Sequence, residues 1–276
     1  MKELRGKVAV ITGGASGIGY AMAECFGRQG MKVVVADIEK TSLDEAVRNL
    51  QSSGIEAIGV ATDVSDWKSV KSLADATFEH FGTAHLICNN AGVGPGDITW
   101  NVPLNMWKWI LDVNLMGVVH GILAFVPRLV EQGEGHVVNT ASEAGFMGLP
   151  GMGPYNASKH AVVAVSKTLQ QDLDLTGSAV KVTVLCPAMT KTRMNDSGRN
   201  WIDRYGAPPE SGLGPGHPQH RDWYRTRMEK EGMDPRDVAE KVLEAVREEK
   251  FFVAMNPNFR EAYLNHLDRF FGLSGN

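Results

Sequence analysis

Tyr155 and Lys159 stand four residues apart in GPYNASKHAV, residues 153–162. One turn of helix puts positions i and i+4 on the same face, so a helix here would aim a phenol and an ammonium into the same space. The phenol can give or take a proton, and the ammonium stabilises the phenolate left behind. Tyr-x-x-x-Lys also arises by chance, so the pair acquires meaning only from what the rest of the chain puts beside it. Ser142, 13 residues before the tyrosine, adds a hydroxyl able to donate to an oxygen on which charge develops.

A second group of residues suggests phosphate chemistry. TGGASGIG, residues 12–19, runs out of the apolar VAVIT and into YAMAECFGRQG, which has helical character. Between a strand and a helix, Gly13, Gly17 and Gly19 allow a tight turn, close approach of backbone to a pyrophosphate, and close helix–strand packing. Ser16, Gly17 and Ile18 then open a helix whose free amides and partial positive charge suit an anion. Asp37 follows Gly19 by 18 residues and ends the next apolar run. A carboxylate there accepts hydrogen bonds from both ribose hydroxyls of an adenosine and repels a 2′-phosphate. Neither Ala15, Ser16 nor Ile38 is basic, so NAD is expected over NADP.

The elements that must position these groups are legible as a rhythm. Apolar runs rich in β-branched residues recur at 7–12, 31–37, 56–61, 84–89, 135–142, 180–185 and 251–255, and stretches of helical period lie between them at 18–29, 43–50, 67–81, 103–130, 155–175 and 235–248. This alternation predicts α/β architecture: one doubly wound parallel sheet of about seven strands with helices on both faces. Neither an internal repeat nor a low-complexity linker divides the chain, so residues 1–276 are expected to form one domain. Residues 189–233 break the rhythm with many prolines and glycines, as in YGAPPESGLGPGHP, and follow the sixth strand. Such a segment, emerging at the carboxyl edge where open α/β sheets bind ligands, is expected to be a substrate lid.

Taken together, TGxxxGxG at 12–19, Asp37, Asp63–Val64, NNAG at 89–92, Asn114, Ser142 and Tyr155-x-x-x-Lys159 closely resemble the short-chain dehydrogenases/reductases of the smaller, single-domain Rossmann type. The resemblance spans Lys7 to about Met255, in the family's order and spacing. It implies hydride transfer between NAD(H) and a secondary alcohol or ketone, with Tyr155 as acid/base, Lys159 as its tuner and a donor to the nicotinamide ribose, and Ser142 on the reacting oxygen. It makes Asn114 the holder of a water that relays protons from Lys159. Asp63 and Val64 would flank the adenine, and Asn90, Ala91 and Gly92 would line the cofactor's path. In CPAMTKT, Pro187, Met189 and Thr192 would lie beside the nicotinamide, with Ala188 where the family usually has glycine. A homodimer or homotetramer through the fourth and fifth helices is implied in the same way, with Trp100, Trp107 and Trp109 packing at that interface.

The remaining readings bound the function. With 43% hydrophobic and 22% charged residues and a formal charge of -4, the chain favours neither nucleic acid nor an anionic membrane as partner. Cys25, Cys88 and Cys186 lack metal or disulfide spacing, and no signal-peptide pattern is present, so reduced thiols and a cytoplasmic location are expected. His217 and His220 have no convincing third ligand, so no metal is expected. Ala144, Phe146, Met147, Leu149 and Met152, with Trp201, Tyr205, Trp223 and Tyr224 of the lid, suggest a small apolar, cyclic or aromatic substrate. Glu143 and the lid arginines Arg193, Arg199, Arg204, Arg221, Arg225 and Arg227 keep a carboxylate-bearing substrate open. The alternative functions are an NADP-dependent carbonyl reductase and a non-catalytic dinucleotide-binding module.

Overall fold

Apolar runs of this kind become strands because helices cover both of their faces. In the computed structural model, which describes residues 1–94, 96–210, 212–213 and 221–272, β1 (Val8–Thr12), β2 (Lys32–Asp37), β3 (Ala57–Ala61), β4 (Leu86–Asn89), β5 (His136–Thr140), β6 (Lys181–Cys186) and β7 (Phe252–Ala254) form one sheet. Its order is β3-β2-β1-β4-β5-β6-β7, and every pairing is parallel. The helices are α1 (Gly17–Arg28), α2 (Lys40–Ser52), α3 (Trp67–Phe81), α4 (Leu104–Leu111), α5 (Gly117–Gln132), α6 (Gly153–Leu175), α7 (Arg221–Glu231), α8 (Pro235–Glu248) and α9 (Phe259–Phe270).

Side chains of one strand feed two cores. Ala9 and Ile11 of β1 join Met22 and Phe26 of α1 and Val238 and Val242 of α8, whereas Val8 and Val10 join Leu73 of α3, Phe125 and Leu129 of α5, and Leu173 of α6. Burying a large apolar side chain contributes roughly 1.5–3 kcal/mol. The strand order reverses between β1 and β4, which opens a crevice at the carboxyl ends of the strands. Thr12, Asp37, Asn89 and Thr140 stand at that edge.

The structure departs from the sequence reading where side chains, rather than periodicity, decide the backbone. Strand β5 stops at Thr140 because Ser142 begins a 3-10 turn, its Oγ accepting the Ala144 N–H at 3.2 Å. The helix expected over 103–130 is interrupted by a π turn, Asp112–Met116, a widening often found at functional sites. Residues 189–233, expected to be a lid, contain among their described residues 3-10 turns at Arg193–Asn200 and Asp203–Tyr205 and the helix α7, none of whose residues is buried, so no hydrophobic period could announce it. Helix α9 was likewise not expected; Phe259 and Tyr263 attach it to Phe146 and Phe252 in an aromatic cluster. Among the described residues, Leu104–Gln132 alone is apolar and long enough to cross a membrane; 44% of that window is buried, with Val118, Phe125 and Leu129 in the cores.

Candidate active site

At the carboxyl edge, a cavity of about 580 Å³ brings together all but two of the expected catalytic and cofactor-binding residues. Gly19 and Asn114 are the exceptions, and both act from behind the lining. Gly13 and Gly17 adopt φ of +62° and +53°, which glycine reaches without strain. A Cβ on Gly19 would lie 2.1 Å from the Gly13 carbonyl oxygen, and one on Gly13 would lie 2.9 Å from Cα of Ala91. Only bare backbone fits this cradle. Ser16, at the N-cap of α1, makes no side-chain cap, so the first amides of the helix keep their donors for an anion. The residues therefore fit a dinucleotide pyrophosphate.

Asp37 is buried at the end of β2, where Oδ2 accepts from Ala15 N at 3.1 Å and Oδ1 from Glu39 N at 3.1 Å. Burial pushes its carboxyl above the usual range, with those amides opposing. Asp63 Oδ1 accepts from Ser65 N at 3.0 Å, while Oδ2 takes the Arg204 guanidinium at 2.9 Å. Val64 lines the cavity, and its carbonyl accepts from His120 Nδ1 at 2.9 Å. Asn90 is pinned to the glycine loop by its N–H to Thr12 Oγ1 (2.9 Å) and Nδ2 to Thr12 O (3.0 Å), with Ala91 N donating to the same hydroxyl at 3.1 Å. Gly92 lies between the two ends, where a Cβ would meet Asn114 Oδ1 at 3.4 Å and Lys159 Nζ at 3.6 Å.

The other end of the cavity is built on the first turns of α6, which carry Tyr155 and Lys159, both buried. Lys159 Nζ donates to Thr140 O at 2.8 Å and stands 5.7 Å from the centre of the Tyr155 ring. Burial pushes the Lys159 pKa down to about 8. Burial also pushes the Tyr155 phenol up, with the Ser142 hydroxyl opposing. In the protein alone, desolvation thus outweighs the tuning expected of Lys159. Asn114, fully buried in the π turn, accepts from Val93 N at 2.8 Å and donates to Val93 O at 2.9 Å and Ser158 Oγ at 3.2 Å. Ser158 in turn donates to Tyr155 O at 2.7 Å. The amide of Asn114 is thus committed to protein groups, which ties the cofactor-side strand end to the turn that carries the phenol.

Ala144, Met147, Leu149 and Met152 line the space next to Tyr155, as the sequence suggested, and Met194, Tyr224, Arg227 and Met228 complete it from the lid. Pro187, Met189 and Thr192 line it as well. Thr192 Oγ1 accepts from Met194 N at 3.4 Å, and Met189 O accepts from Met233 N at 2.9 Å, which fastens both ends of the lid segment. Positive φ among non-glycine residues occurs at Glu249 and not at Ala188, so alanine is accommodated there without strain. Glu143 faces the same space, its Oε1 buried with no hydrogen-bond partner, and burial pushes its carboxyl up against a backbone hydrogen bond from Asn256.

Other expectations are corrected. Phe146 turns away from the cavity into the cluster with Phe252, Phe259 and Tyr263. Trp109 is not an interface residue: it is 1% exposed and packs on Val93, Met106 and Trp201. Trp201 and Tyr205 lie against it rather than in the lining, and Trp223 is exposed beside Tyr224. Arg199 and Arg204 are bound to Glu39 and Asp63, Arg225 stands by Asp222 and Arg227 by Glu231, so none is an uncommitted substrate anchor. His217 and His220 lie outside the described residues. Glu39, Thr140, Met194 and Met228 were not found from the sequence; only Glu39, two residues beyond Asp37, had any signal there.

Comparison with known proteins points the same way as the geometry. The sequence profile of the family described as short chain dehydrogenase matches residues 7–203. The chain is 33% identical over 272 residues to C alpha-dehydrogenase of Sphingobium sp. strain SYK-6, covering 96% of this chain and 86% of that protein. It is 42% identical over 195 residues to 1-deoxy-11-beta-hydroxypentalenate dehydrogenase of Streptomyces avermitilis, covering 70% and 72%. A crystal structure of a short chain dehydrogenase/reductase from Burkholderia phymatum in complex with NAD superposes with a TM-score of 0.92 at 41% identity, covering 99% of this chain and 97% of that one.

Proposed function

We propose that this chain, which belongs to the short-chain dehydrogenase family and is an oxidoreductase of that type, moves a hydride between NAD(H) and an apolar, cyclic or aromatic secondary alcohol or ketone. The observation that carries this reading is the continuity of one cavity from Asp37 and the glycine cradle to Ser142, Tyr155 and Lys159. The similar Burkholderia protein was crystallised with NAD, and the two relatives are named as dehydrogenases, one of them of a hydroxylated acid.

When bound, NAD(H) supplies the hydride acceptor or donor and, in its oxidised form, a positive charge. Gly13 to Gly19 hold the pyrophosphate, Asp37 the adenosine ribose, Asp63 and Val64 the adenine, Asn90 to Gly92 the middle, and Pro187, Met189 and Thr192 the carboxamide. Tyr155 Oη takes the alcohol proton in oxidation and returns it in reduction, while Ser142 Oγ donates to the substrate oxygen. Bringing an ordinary phenol ~3 units down to neutral pH requires about 4 kcal/mol in favour of phenolate, and the burial of Tyr155 adds to that requirement. Lys159 contributes as an ammonium, since a pKa of about 8 leaves it protonated at pH 7. Ala144, Met147 and Met152 pack on the substrate body and exclude water, and Asn114 positions the turn below Tyr155.

The whole chain reads as one domain, with residues 189–233 as a lid on that cavity. The fourth and fifth helices of the sequence reading correspond to α4 with α5 and to α6, and exposed Leu104 and Leu123 on the first of these support a homodimer or homotetramer through them. A cytoplasmic location is part of the same reading. The test is a fluorescence titration with NADH and NADPH, followed by NADH formation at 340 nm across apolar, cyclic, aromatic and carboxylated secondary alcohols. NADH preference with turnover of a cyclic or aromatic alcohol is the expected result. Tight NADH binding with no turnover of any alcohol or ketone overturns the enzymatic assignment in favour of a binding module.

A further inference from the structure

The lid is fastened at the end of the cavity far from Tyr155. Glu39 follows Asp37 by two residues, and its N–H donates to the Asp37 carboxylate. Its Oε1 accepts from Arg199 Nε at 2.8 Å, lies 2.6 Å from Arg199 Nη2, and takes Asn200 Nδ2 at 3.3 Å. Arg193 Nη1 stands 3.6 Å from its Oε2. The remaining Arg199 nitrogen, Nη1, donates to the carbonyls of Arg193 and Asp196 at 3.0 and 2.9 Å. Burial pushes the Glu39 carboxyl up, but Arg199, Asn200 and Arg193 together hold it below the usual range. Asp37, Ile38, Glu39, Arg193 and Arg199 all line the same cavity.

Two guanidinium groups therefore stand in the compartment where the adenosine ribose belongs, and a guanidinium is the side chain best shaped to grip a phosphate with paired hydrogen bonds. We propose that Glu39 is a second specificity residue for the dinucleotide, which keeps Arg199 and Arg193 from serving as a 2′-phosphate site. This rests on the NAD(H) reading above. Asp37 acts by direct repulsion at the ribose, and Glu39 acts by occupying the cations that would otherwise reward a phosphate. The residue after Asp37, Ile38, is not basic, and Lys40 is paired with Asp44; the fold brings in two arginines from more than 150 positions away, and Glu39 neutralises them.

The experiment compares Kd for NADH and NADPH by cofactor fluorescence in Asp37→Ser, Glu39→Gln, the double variant, and the double variant carrying Arg199→Ala. Asp37→Ser alone should improve NADPH binding modestly, because both arginines remain occupied. Adding Glu39→Gln should improve NADPH a further tenfold or more, beyond any change for NADH, with a steeper loss on raising salt. Arg199→Ala should reverse most of that gain. Thermal melts of each variant identify any that fails to fold; if the double variant fails, Glu39→Gln alone still decides, since it should raise the affinity for NADPH relative to NADH above the wild-type ratio. No gain from Glu39→Gln beside Asp37→Ser, or a gain that survives Arg199→Ala, overturns the proposal while leaving the cofactor reading intact. A wild-type chain that binds neither dinucleotide overturns both.

Discussion

At the Tyr155 end of the cavity, the functional groups are buried and held by hydrogen bonds to carbonyls, amides and hydroxyls of elements packed against them. At the Asp37 end, the acidic groups are held by ion pairs from the lid that span 160 residues in Glu39–Arg199 and 141 in Asp63–Arg204. The contrast follows from what each end has to do. A proton donor must sit in a fixed, dry place where small changes of charge alter its acidity, so rigid elements and full burial suit it. A site that admits and releases a large charged ligand has to open. Partly exposed ion pairs, worth little each and weakened by salt, give a closure that can be undone. The first end should therefore respond to pH and to single-atom deletions, and the second to ionic strength.

The largest effect expected at the buried end is that of Tyr155→Phe, which removes only the hydroxyl. Turnover should fall by roughly 10²–10⁴, the usual value of positioned proton transfer, while NADH fluorescence titration still reports binding. Unchanged turnover would remove Tyr155 from its role. Asn114→Ala should rank next. It strips partners from the buried N–H and C=O of Val93, and each buried group left unsatisfied costs about 1–3 kcal/mol. Urea unfolding should show a loss of about 2–4 kcal/mol, with turnover reduced as well, because Ser158 and the Tyr155 turn lose the same anchor.

Lys159 should make the buried end sensitive to pH in a direction that can be worked out. Its pKa is about 8 when folded against the 10.5 of a freely solvated lysine, so the unfolded chain binds more protons between these values. Stability should therefore rise with pH across that window, the unfavourable burial of the ammonium being fully present below pH 8 and relieved above it. The Tyr155 phenol, raised by burial, begins to oppose this only above pH 10. Urea unfolding of wild type minus Lys159→Met should show a rise of about 2–3 kcal/mol between pH 7.5 and 10. A flat difference would mean that the ammonium is better solvated than its burial implies.

Most of the buried end was legible in the sequence. Tyr155 and Lys159 lie on one helix and Ser142 just beyond a neighbouring strand, so they were placed by short-range spacing that the fold preserves, whereas Asn114 was picked out through the family resemblance. The strands were legible because double-sided burial makes them continuous apolar runs. The lid was not. Helix α7 buries nothing and so carries no period, and Arg199 and Arg204 look in sequence like free cations awaiting a substrate carboxylate. Their partners, Glu39 and Asp63, lie just after β2 and β3, a pairing that no local pattern encodes. The same limit hid the role of Phe146, whose neighbours Phe252, Phe259 and Tyr263 arrive from the last strand and last helix.

The smallest effect is the one that tests the lid end most directly. Arg204 reaches Asp63 at 2.9 Å, also touches the Ser65 hydroxyl, and is followed by Tyr205, whose hydroxyl donates to Asp112 at 3.0 Å. The guanidinium is 42% exposed, so the pair should contribute no more than about 1 kcal/mol, and less in high salt. Arg204→Ala should therefore leave the urea midpoint nearly unmoved. Because Asp63 lines the cavity and is proposed to flank the adenine, the same variant should release NADH up to about fivefold faster in stopped-flow at low salt, with the difference from wild type vanishing near 1 M salt, where screening is almost complete. An equal difference at both salt concentrations would show that Arg204 acts through shape rather than charge. The two ends of the cavity would then be held by the same kind of force.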